Sequence, residues 1–118
     1  MAIKLHNPKG MRVSPECSLG VEVPPNARWL HVSGQVGFDA RGRVAAEFEK
    51  QALQAWKNVH RVLKCAGMGR KDIVKISTFV TDSRHLLTYR SMREKFLGKG
   101  PYPASTLLVV AGWRFRSC

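Results

Sequence analysis

Histidine, acidic and cysteine side chains are the groups of this chain that could serve as general acids or bases, nucleophiles or metal ligands. Glu47 and Glu49 lie two residues apart in a helical segment, so their carboxylates point in different directions and do not form a catalytic pair. The three cysteines contain no C-x-x-C pair and are odd in number, which argues against a zinc site and against a disulfide framework. We predict no metal or cofactor. The histidines have neither metal-ligand spacing nor an acidic residue spaced as in a triad, and we interpret them as surface or capping residues: His6, His31, His60 and His85.

The chain is strongly basic, with 20 Lys and Arg residues against 8 Asp and Glu and a formal net charge of +12. Such a charge attracts polyanions such as RNA, DNA or an acidic membrane surface, without sequence specificity. No aromatic residues alternate with the cations as they do in a base-stacking platform. Nonspecific nucleic-acid binding therefore stays open as an alternative. Four cations share the polar face of the first predicted helix, where they are either solvated or in contact with an anion: Lys50, Lys57, Arg61 and Lys64.

Length and hydropathy predict a single domain over residues 1–118, in which 44% apolar residues supply one modest core. No segment approaches the roughly 18 consecutive apolar residues of a membrane span. The basic N-terminus is not followed by the apolar run of a secretory signal. We therefore expect a cytoplasmic protein that does not bind membranes as a partner.

The elements that would position these side chains begin with strands at 18–23 and 29–33, which are separated by Pro24 and Pro25 and are expected to form a hairpin. A helix is predicted over 45–66, and Gly67 is placed to end it in the left-handed conformation. The apolar residues of this helix recur at helical spacing: Phe48, Ala52, Trp56, Val59, Leu63 and Ala66.

The second half of the chain adds a strand at 72–80, a second helix capped by Asp82 or Ser83, and a strand at 105–111. The order ββαβαβ indicates an α+β fold in which a mixed sheet carries both helices on one face. The second helix has its own apolar stripe: Leu86, Tyr89, Met92 and Phe96.

Five short segments, in this order and spacing, resemble the Rid (YjgF) family: VSGQV (32–36), NV (58–59), DIVK (72–75), TFVTD (78–82) and YPAST (102–106). The match covers roughly residues 14–111 and is far more specific than any one segment. The resemblance implies a chorismate-mutase-like α+β fold assembled as a homotrimer. It also implies three clefts between neighbouring subunits that bind a small metabolite.

Deaminases of the family use a cleft arginine, in a Pro-Ala-Arg-Ser segment, to hold the carboxylate of a reactive imine such as 2-aminoacrylate while water releases ammonia. A guanidinium suits this role because it binds a carboxylate through two parallel hydrogen bonds. Ser105 stands at that position here. Its hydroxyl could bind a ligand but supplies no charge, so we expect imines that carry a carboxylate to bind poorly.

The resemblance carries five further ligand-binding candidates. Ser33, Gly34 and Gln35 match the family, and they serve either the ligand or a tight backbone geometry. Cys17 replaces the family's tyrosine and is either a reactive thiol or a small apolar group. Arg90 replaces an asparagine of the second helix and either restores a positive charge to the cleft or is simply solvated. No catalytic residue is identified.

Relatives in the resembled family continue into a final strand whose glutamate positions the hydrolytic water, whereas this sequence ends at Cys118. We therefore expect that strand to be missing, which would leave its neighbours with an unpaired edge. Trp113 and Phe115 alternate like a short strand and could fill part of the gap.

Three functional hypotheses follow from these observations. The leading hypothesis is a Rid-family homotrimer that binds a small metabolite between subunits, with imine or enamine deamination that is weak or atypical. The second is an RNA-binding or endoribonuclease-like protein, in keeping with the net charge and with older descriptions of the family as ribonucleases and translation inhibitors. The third is a structural or chaperone-like protein without catalysis.

Overall fold

The computed structural model describes residues 3–112 of the chain. Within this range the order of elements is ββαβαβ, and single 3-10 turns precede β3 and α2 at Arg70–Asp72 and Ser83–His85. An α+β fold is thereby confirmed. The helices and strands are β1 (Lys4–His6), β2 (Gly20–Glu22), α1 (Phe48–Cys65), β3 (Lys75–Val80), α2 (Leu86–Leu97) and β4 (Ala104–Val109).

The centre of the fold is a β3–α2–β4 unit. β3 and β4 pair in parallel from Lys75 opposite Ala104 to Val80 opposite Val109. Parallel neighbours need a crossover connection, and α2 supplies it, which places this helix against one face of the strand pair. The predictions of the strands at 72–80 and 105–111 and of the second helix are confirmed with small shifts in their bounds. The predicted cap is also present, because the Asp82 side chain accepts a hydrogen bond from the Arg84 N–H just before α2.

Helix α1 packs against α2 through aromatic residues. The Trp56 ring stacks on Phe96 with centroids 4.4 Å apart and on Tyr89 at 6.3 Å. The apolar stripe predicted for α1 is the face turned inward, and the four cations predicted on its other face are exposed. The most deeply buried large apolar side chains come from both helices and β3: Leu63, Val80, Tyr89 and Leu97.

Helix α1 ends as the sequence predicts. Gly67 has a φ of 70°, the left-handed region that an L side chain adopts only with strain. The N–H groups of Gly67 and Met68 then bind the carbonyls of Lys64 and Leu63 at 3.0 and 2.9 Å. These bonds supply partners to carbonyls of the last helical turn, which have none within the helix.

The predicted N-terminal hairpin is wrong. β2 pairs antiparallel with β1, at Lys4–His6, and residues 24–37 contain neither helix nor strand. The aromatic and β-branched residues at 29–33 favour an extended backbone, but a strand exists only where a second strand pairs with it. No strand in the described range pairs with this segment. Within residues 3–112 the hydrogen bonds join the strands as two separate pairs, β1–β2 and β3–β4, rather than as one mixed sheet.

The predictions made for the end of the chain, including the short strand at Trp113 and Phe115, lie outside the described residues. In the range that is described, neither helix has the length and apolar character that crossing a membrane requires.

Candidate functional site

An open cavity of about 260 Å³ lies where the segment 12–19 meets the start of β4. We call it the serine cavity, because Ser105 and two further serines line it. It brings together two of the predicted ligand-binding residues, Cys17 and Ser105. Its lining is Arg12, Ser14, Cys17, Ser18, Leu19, Lys75, Ala104, Ser105 and Thr106.

Ser18 holds the segment that carries Cys17 against β4. Its side chain is buried, and its hydroxyl donates to the Tyr102 carbonyl at 2.6 Å. Its backbone N–H donates to the carbonyl of the buried Pro103 at 3.1 Å. The first of these bonds joins residues that are 84 positions apart in the chain. They place Cys17 on the wall of the cavity that also holds Ser105.

The lining of the serine cavity is basic. Arg12 and Lys75 contribute their side chains, and no acidic residue of the described chain lines it. Lys75 Nζ donates to Thr106 Oγ1 at 2.7 Å, which fixes the ammonium at the rim beside β4. A cavity lined by one sign of charge concentrates ions of the opposite sign. The lining is therefore suited to a small anion.

A second arginine lies behind Ser105. Arg93, on α2, is only 5% exposed, and its Nη1 donates to Ser105 Oγ at 3.4 Å. Its Nε is buried and has no hydrogen-bond partner among residues 3–112. Its guanidinium carbon lies 5.9 Å from the centre of the Tyr89 ring, within reach of a cation–π interaction.

Sequence reasoning missed Arg93, although a signal was present. Arg93 follows Tyr89 by four residues and precedes Leu97 by four, so all three lie on one face of α2. These are the three buried residues of the helix. A charged residue on the core stripe of a helix is rare unless a partner compensates it, and this rule would have identified Arg93.

Tyr89 is the packing partner of Arg93. Its hydroxyl shares a 2.7 Å hydrogen bond with Thr78 Oγ1 of β3. Burial raises the pKa of Tyr89 above its ordinary value of 10.0, although the bond to Thr78 and the charge of Arg93 oppose that rise. The phenol therefore stays neutral at physiological pH and supplies no negative charge to balance Arg93.

The structure places the other predicted ligand-binding residues away from the lining of the serine cavity. Ser33, Gly34 and Gln35 lie in the irregular segment before α1, where Gln35 Nε2 donates to the Ser33 carbonyl at 3.3 Å. Arg90 is exposed on α2. None of the four is among the described residues that line the cavity. Their role in binding stays a prediction.

A second basic cavity, of about 240 Å³, lies between α1 and the turn before it. We call it the turn cavity. Its cation Arg43 is paired with the carboxylate of Asp39 at 3.6 Å. The same carboxylate accepts the backbone N–H groups of Arg41 and Arg43, both at 2.9 Å. The residues that line it are Gly37, Asp39, Arg43, Ala45, Lys50, Leu53, Gln54 and Lys57.

Two of the histidines stack on aromatic rings, His85 on Phe48 at 4.2 Å and His31 on Trp29 at 6.2 Å. His6 forms an exposed pair with Glu22 at 2.9 Å across β1 and β2. The two residues are 16 positions apart, so sequence spacing did not predict this contact. Among the described residues, no three His, Cys, Asp or Glu side chains are grouped so that they could hold a metal ion.

The sequence model of a family described as Endoribonuclease L-PSP matches residues 20–116 of this chain. The RutC family protein YjgH of Escherichia coli is 32% identical over 90 residues, which are 73% of this chain and 69% of that protein. A 2-iminobutanoate/2-iminopropanoate deaminase of Salmonella typhimurium is 34% identical over 82 residues, or 67% of this chain. The alignments span only part of these relatives, 64% of the Salmonella deaminase and 55% of a RutC family protein of Aquifex aeolicus.

Solved structures resemble the fold over more of the chain. A Rid-family protein of unknown function from Yersinia pestis, YyfB, superimposes with a TM-score of 0.86 at 26% identity, covering 98% of this chain and 90% of that one. The RidA protein of a Psychrobacter species gives a TM-score of 0.68 at 28% identity and covers 87% of this chain and 80% of its own. The fold expected from the five sequence segments is thereby confirmed, and this chain belongs to the Rid (YjgF) family.

Proposed function

We propose that this protein binds a small metabolite in the serine cavity, and that hydrolytic deamination there is weak or directed at an atypical imine or enamine. One observation carries this proposal: Cys17 and Ser105, which stand at family ligand positions, line one basic cavity with no described carboxylate in its wall. The names of the relatives add the reaction class, because several are 2-iminobutanoate/2-iminopropanoate deaminases. We further propose that the protein works in the cytoplasm without a cofactor.

Ammonia release from freshly generated imines tests the reaction. We expect slow release from 2-iminobutanoate, and we expect Ser105→Ala to reduce it about fivefold, the size of one neutral hydrogen bond. Ser91→Ala, an exposed serine of α2, is the matched control and should leave the rate unchanged. Rapid turnover that Ser105→Ala does not alter would contradict the proposed site.

We propose that the protein assembles as a homotrimer, as the family resemblance implies. The face of β3–β4 turned away from the helices supports assembly, because it exposes Phe79 by 57% and Leu108 by 48%. Neighbouring large apolar side chains exposed on one sheet face indicate a surface that a partner covers. Such an assembly could also bring Ser33, Gly34 and Gln35 of one subunit to the serine cavity of another.

Size exclusion with light scattering tests this assembly. We expect a mass of three chains for the unmodified protein and a smaller mass for Phe79→Glu, since a charge in the apolar contact is unfavourable. Leu87→Glu is the matched control, because Leu87 lies on α2 and is 79% exposed, more than any other large apolar residue in the range 3–112. A monomer, or a trimer that Phe79→Glu leaves intact, would contradict the assembly through this face.

RNA binding is the second candidate, and the net charge of +12 together with the family description Endoribonuclease L-PSP favours it. A salt titration of RNA binding separates it from the first candidate. Affinity that vanishes at moderate salt without sequence preference indicates electrostatic attraction alone. Cleavage of RNA that persists at such salt would favour the ribonuclease. A protein that neither releases ammonia nor cleaves RNA would be the non-catalytic structural protein of the third hypothesis.

A further inference from the structure

The exposed face of α1 carries a row of four cations. They are seven, four and three positions apart, so at about 100° per residue their directions differ by at most about 60° around the helix axis. All four side chains are exposed, and at about 1.5 Å per residue the row is about 21 Å long. We call it the basic stripe: Lys50, Lys57, Arg61 and Lys64.

No described carboxylate pairs with the basic stripe, because the ion pairs found among residues 3–112 join other side chains. Acidic residues lie only at the first end of α1, at Glu47 and Glu49. Lys57 follows Glu49 by eight residues, which is about 12 Å along the helix axis, and the later cations are farther away. The charge of the stripe is therefore left for an external anion, unlike that of Arg43, which has a carboxylate partner.

The turn cavity adjoins the first half of the basic stripe. Lys50 and Lys57 line it together with Arg43 and Asp39. The Asp39 carboxylate is already held by Arg43 at 3.6 Å and by two backbone N–H groups at 2.9 Å. Two ammonium groups without an ion-pair partner in the described chain thus lie beside an open space of about 240 Å³, which can receive a phosphate group.

Two kinds of polyanion fit α1 poorly. A helix that binds a membrane surface inserts its apolar face into lipid, but here that face is occupied, with Leu63 buried and Trp56 stacked on Phe96. Proteins that bind single-stranded nucleic acid stack its bases on aromatic rings. The remaining aromatic ring of α1, Phe48, is stacked on His85 at 4.2 Å. A duplex requires neither feature, because its bases are already stacked inside it.

We propose that the basic stripe is a docking surface for the phosphate backbone of a double-stranded nucleic acid, which it binds without reading the bases. Phosphates follow one another about every 3.4 Å along each strand, so a stripe about 21 Å long faces about six of them. This inference goes beyond metabolite binding in the serine cavity and does not depend on it. It also differs from the ribonuclease candidate, since it assigns no cleavage.

Fluorescence anisotropy of the full chain with a labelled DNA duplex of about 16 base pairs tests the inference, because such a duplex is longer than the stripe. Four phosphate contacts predict a slope of about −3.6 for the logarithm of affinity against the logarithm of salt concentration. The triple variant Lys57→Gln, Arg61→Gln, Lys64→Gln should bind at least about 10-fold more weakly at about 0.1 M salt, with a slope near −1.

The matched control removes three charges from exposed positions outside α1: Lys9→Gln, Lys95→Gln and Lys99→Gln. Its net charge equals that of the triple variant, but it keeps the basic stripe, so its affinity should change less than about threefold. Glutamine is a good helix former, and circular dichroism should show that the triple variant keeps its helices. If it does not fold, Lys57→Gln alone should still lower the slope by about 0.9.

The nature of the partner is tested with further probes at the same salt. A second DNA duplex of unrelated sequence and an RNA duplex should bind within about threefold of the first, because only phosphates are contacted. One strand of the duplex alone should bind more weakly, since its charge density is lower. Poly-glutamate and vesicles of anionic lipid should also bind more weakly than the duplex.

Four results would overturn the inference: a triple variant that keeps the affinity and slope of the unmodified protein, a control variant that loses as much as the triple variant, a single strand that binds more tightly than the duplex, or poly-glutamate or vesicles that bind as tightly. The triple variant should release ammonia at the rate of the unmodified protein. Failure of duplex binding therefore leaves the proposed function standing, and absence of ammonia release leaves the docking surface standing.

Discussion

The serine cavity and the turn cavity are alike in volume and in basic lining, but they differ in how their charge is balanced. In the turn cavity Asp39 lies 3.6 Å from Arg43, and both residues are on a solvated turn. Behind the serine cavity Arg93 is buried, and its described contacts are a hydroxyl and an aromatic ring. A carboxylate therefore pairs with Arg43 at the turn cavity, whereas no described carboxylate pairs with Arg93.

Net charge alone therefore does not locate an anion site. Exposed cations such as those on α1 are hydrated. At physiological salt, mobile ions largely screen their attraction for an anion that is more than about 8 to 10 Å away. A buried guanidinium keeps its field because little solvent surrounds it. The +12 charge therefore attracts anions to the molecule in general and does not by itself point to one place on it.

The largest effect is expected at Tyr89, on which the serine cavity depends. Tyr89→Ala removes a buried ring that contacts Trp56, Thr78 and Arg93. We expect a loss of about 3–5 kcal/mol in the free energy of unfolding, measured by urea denaturation. Tyr89→Phe, which keeps the ring and removes only the bond to Thr78, should lose about 1 kcal/mol. Equal losses for both variants would show that the hydroxyl, rather than the ring, supports the site.

A smaller effect is expected at Gly37, in the wall of the turn cavity. A Cβ there would lie 2.7 Å from the Gln51 carbonyl oxygen and 2.8 Å from Gln51 Cα, so the backbone of α1 would have to shift. We expect Gly37→Ala to cost about 1–3 kcal/mol in urea denaturation.

Gly34→Ala is the matched control for Gly37→Ala. A Cβ at Gly34 meets no atom within 4 Å, and the change should stay within about 0.5 kcal/mol of wild type. Folded Gly37→Ala protein should bind 2-oxobutanoate in the serine cavity with unchanged affinity. Loss of binding in Gly37→Ala would mean that the two cavities are coupled.

Asn58 holds the segment before α1 in place, and its removal should be milder. Its side-chain Nδ2 donates to the carbonyls of Val36 and Phe38 at 3.2 and 2.9 Å. Asn58→Ala deprives two partly buried acceptors of these bonds, and we expect a cost of about 1–2 kcal/mol. Hydrogen exchange should show faster amide exchange near the turn cavity than near the serine cavity. Uniform acceleration throughout the chain would contradict a local role.

The smallest effect is expected at Asp39, and it depends on pH. Hydrogen bonds from the backbone of Arg43 and Arg41, together with the charge of Arg43, hold the pKa of Asp39 below its ordinary 3.8. A carboxylate whose pKa is lowered by folding stabilises the native state above its unfolded pKa. That stability is lost as pH falls through the lowered value. Wild type should therefore be more stable than Asp39→Asn at pH 7. Parallel urea denaturation series should show that this difference shrinks as the pH falls below 3.8 and the carboxylate is protonated.

The helices and the β3–β4 pair were predictable because each depends on local signals. The apolar spacing of α1 and Gly67 at its end act within a few residues, and their structural consequences are confirmed. The strand expected at 29–33 failed because composition favours an extended backbone without supplying a partner. The partner that β2 does use, at Lys4–His6, is separated from it by a long irregular segment that no local pattern specifies.

The candidate site was predictable only in part, for a related reason. Cys17 and Ser105 were named through family resemblance, and the structure brings them to one cavity. Arg93 reaches Ser105 from another element, and contacts between elements depend on how the helix packs rather than on sequence spacing. The hydrogen bond from Ser18 to the Tyr102 carbonyl was likewise not predictable from spacing, because it joins residues 84 positions apart.

The most direct test of the difference between the two cavities is an NMR titration of the unmodified protein with 2-oxobutanoate, followed through backbone amides and the arginine Nε–H signals. A ligand in the serine cavity should cause saturable shifts at Cys17 and Ser105, while amides of the turn cavity such as Gly37 and Arg43 stay in place. Shifts that are equal at both cavities, or that spread over the basic face of α1 and disappear with added salt, would contradict a ligand site in the serine cavity.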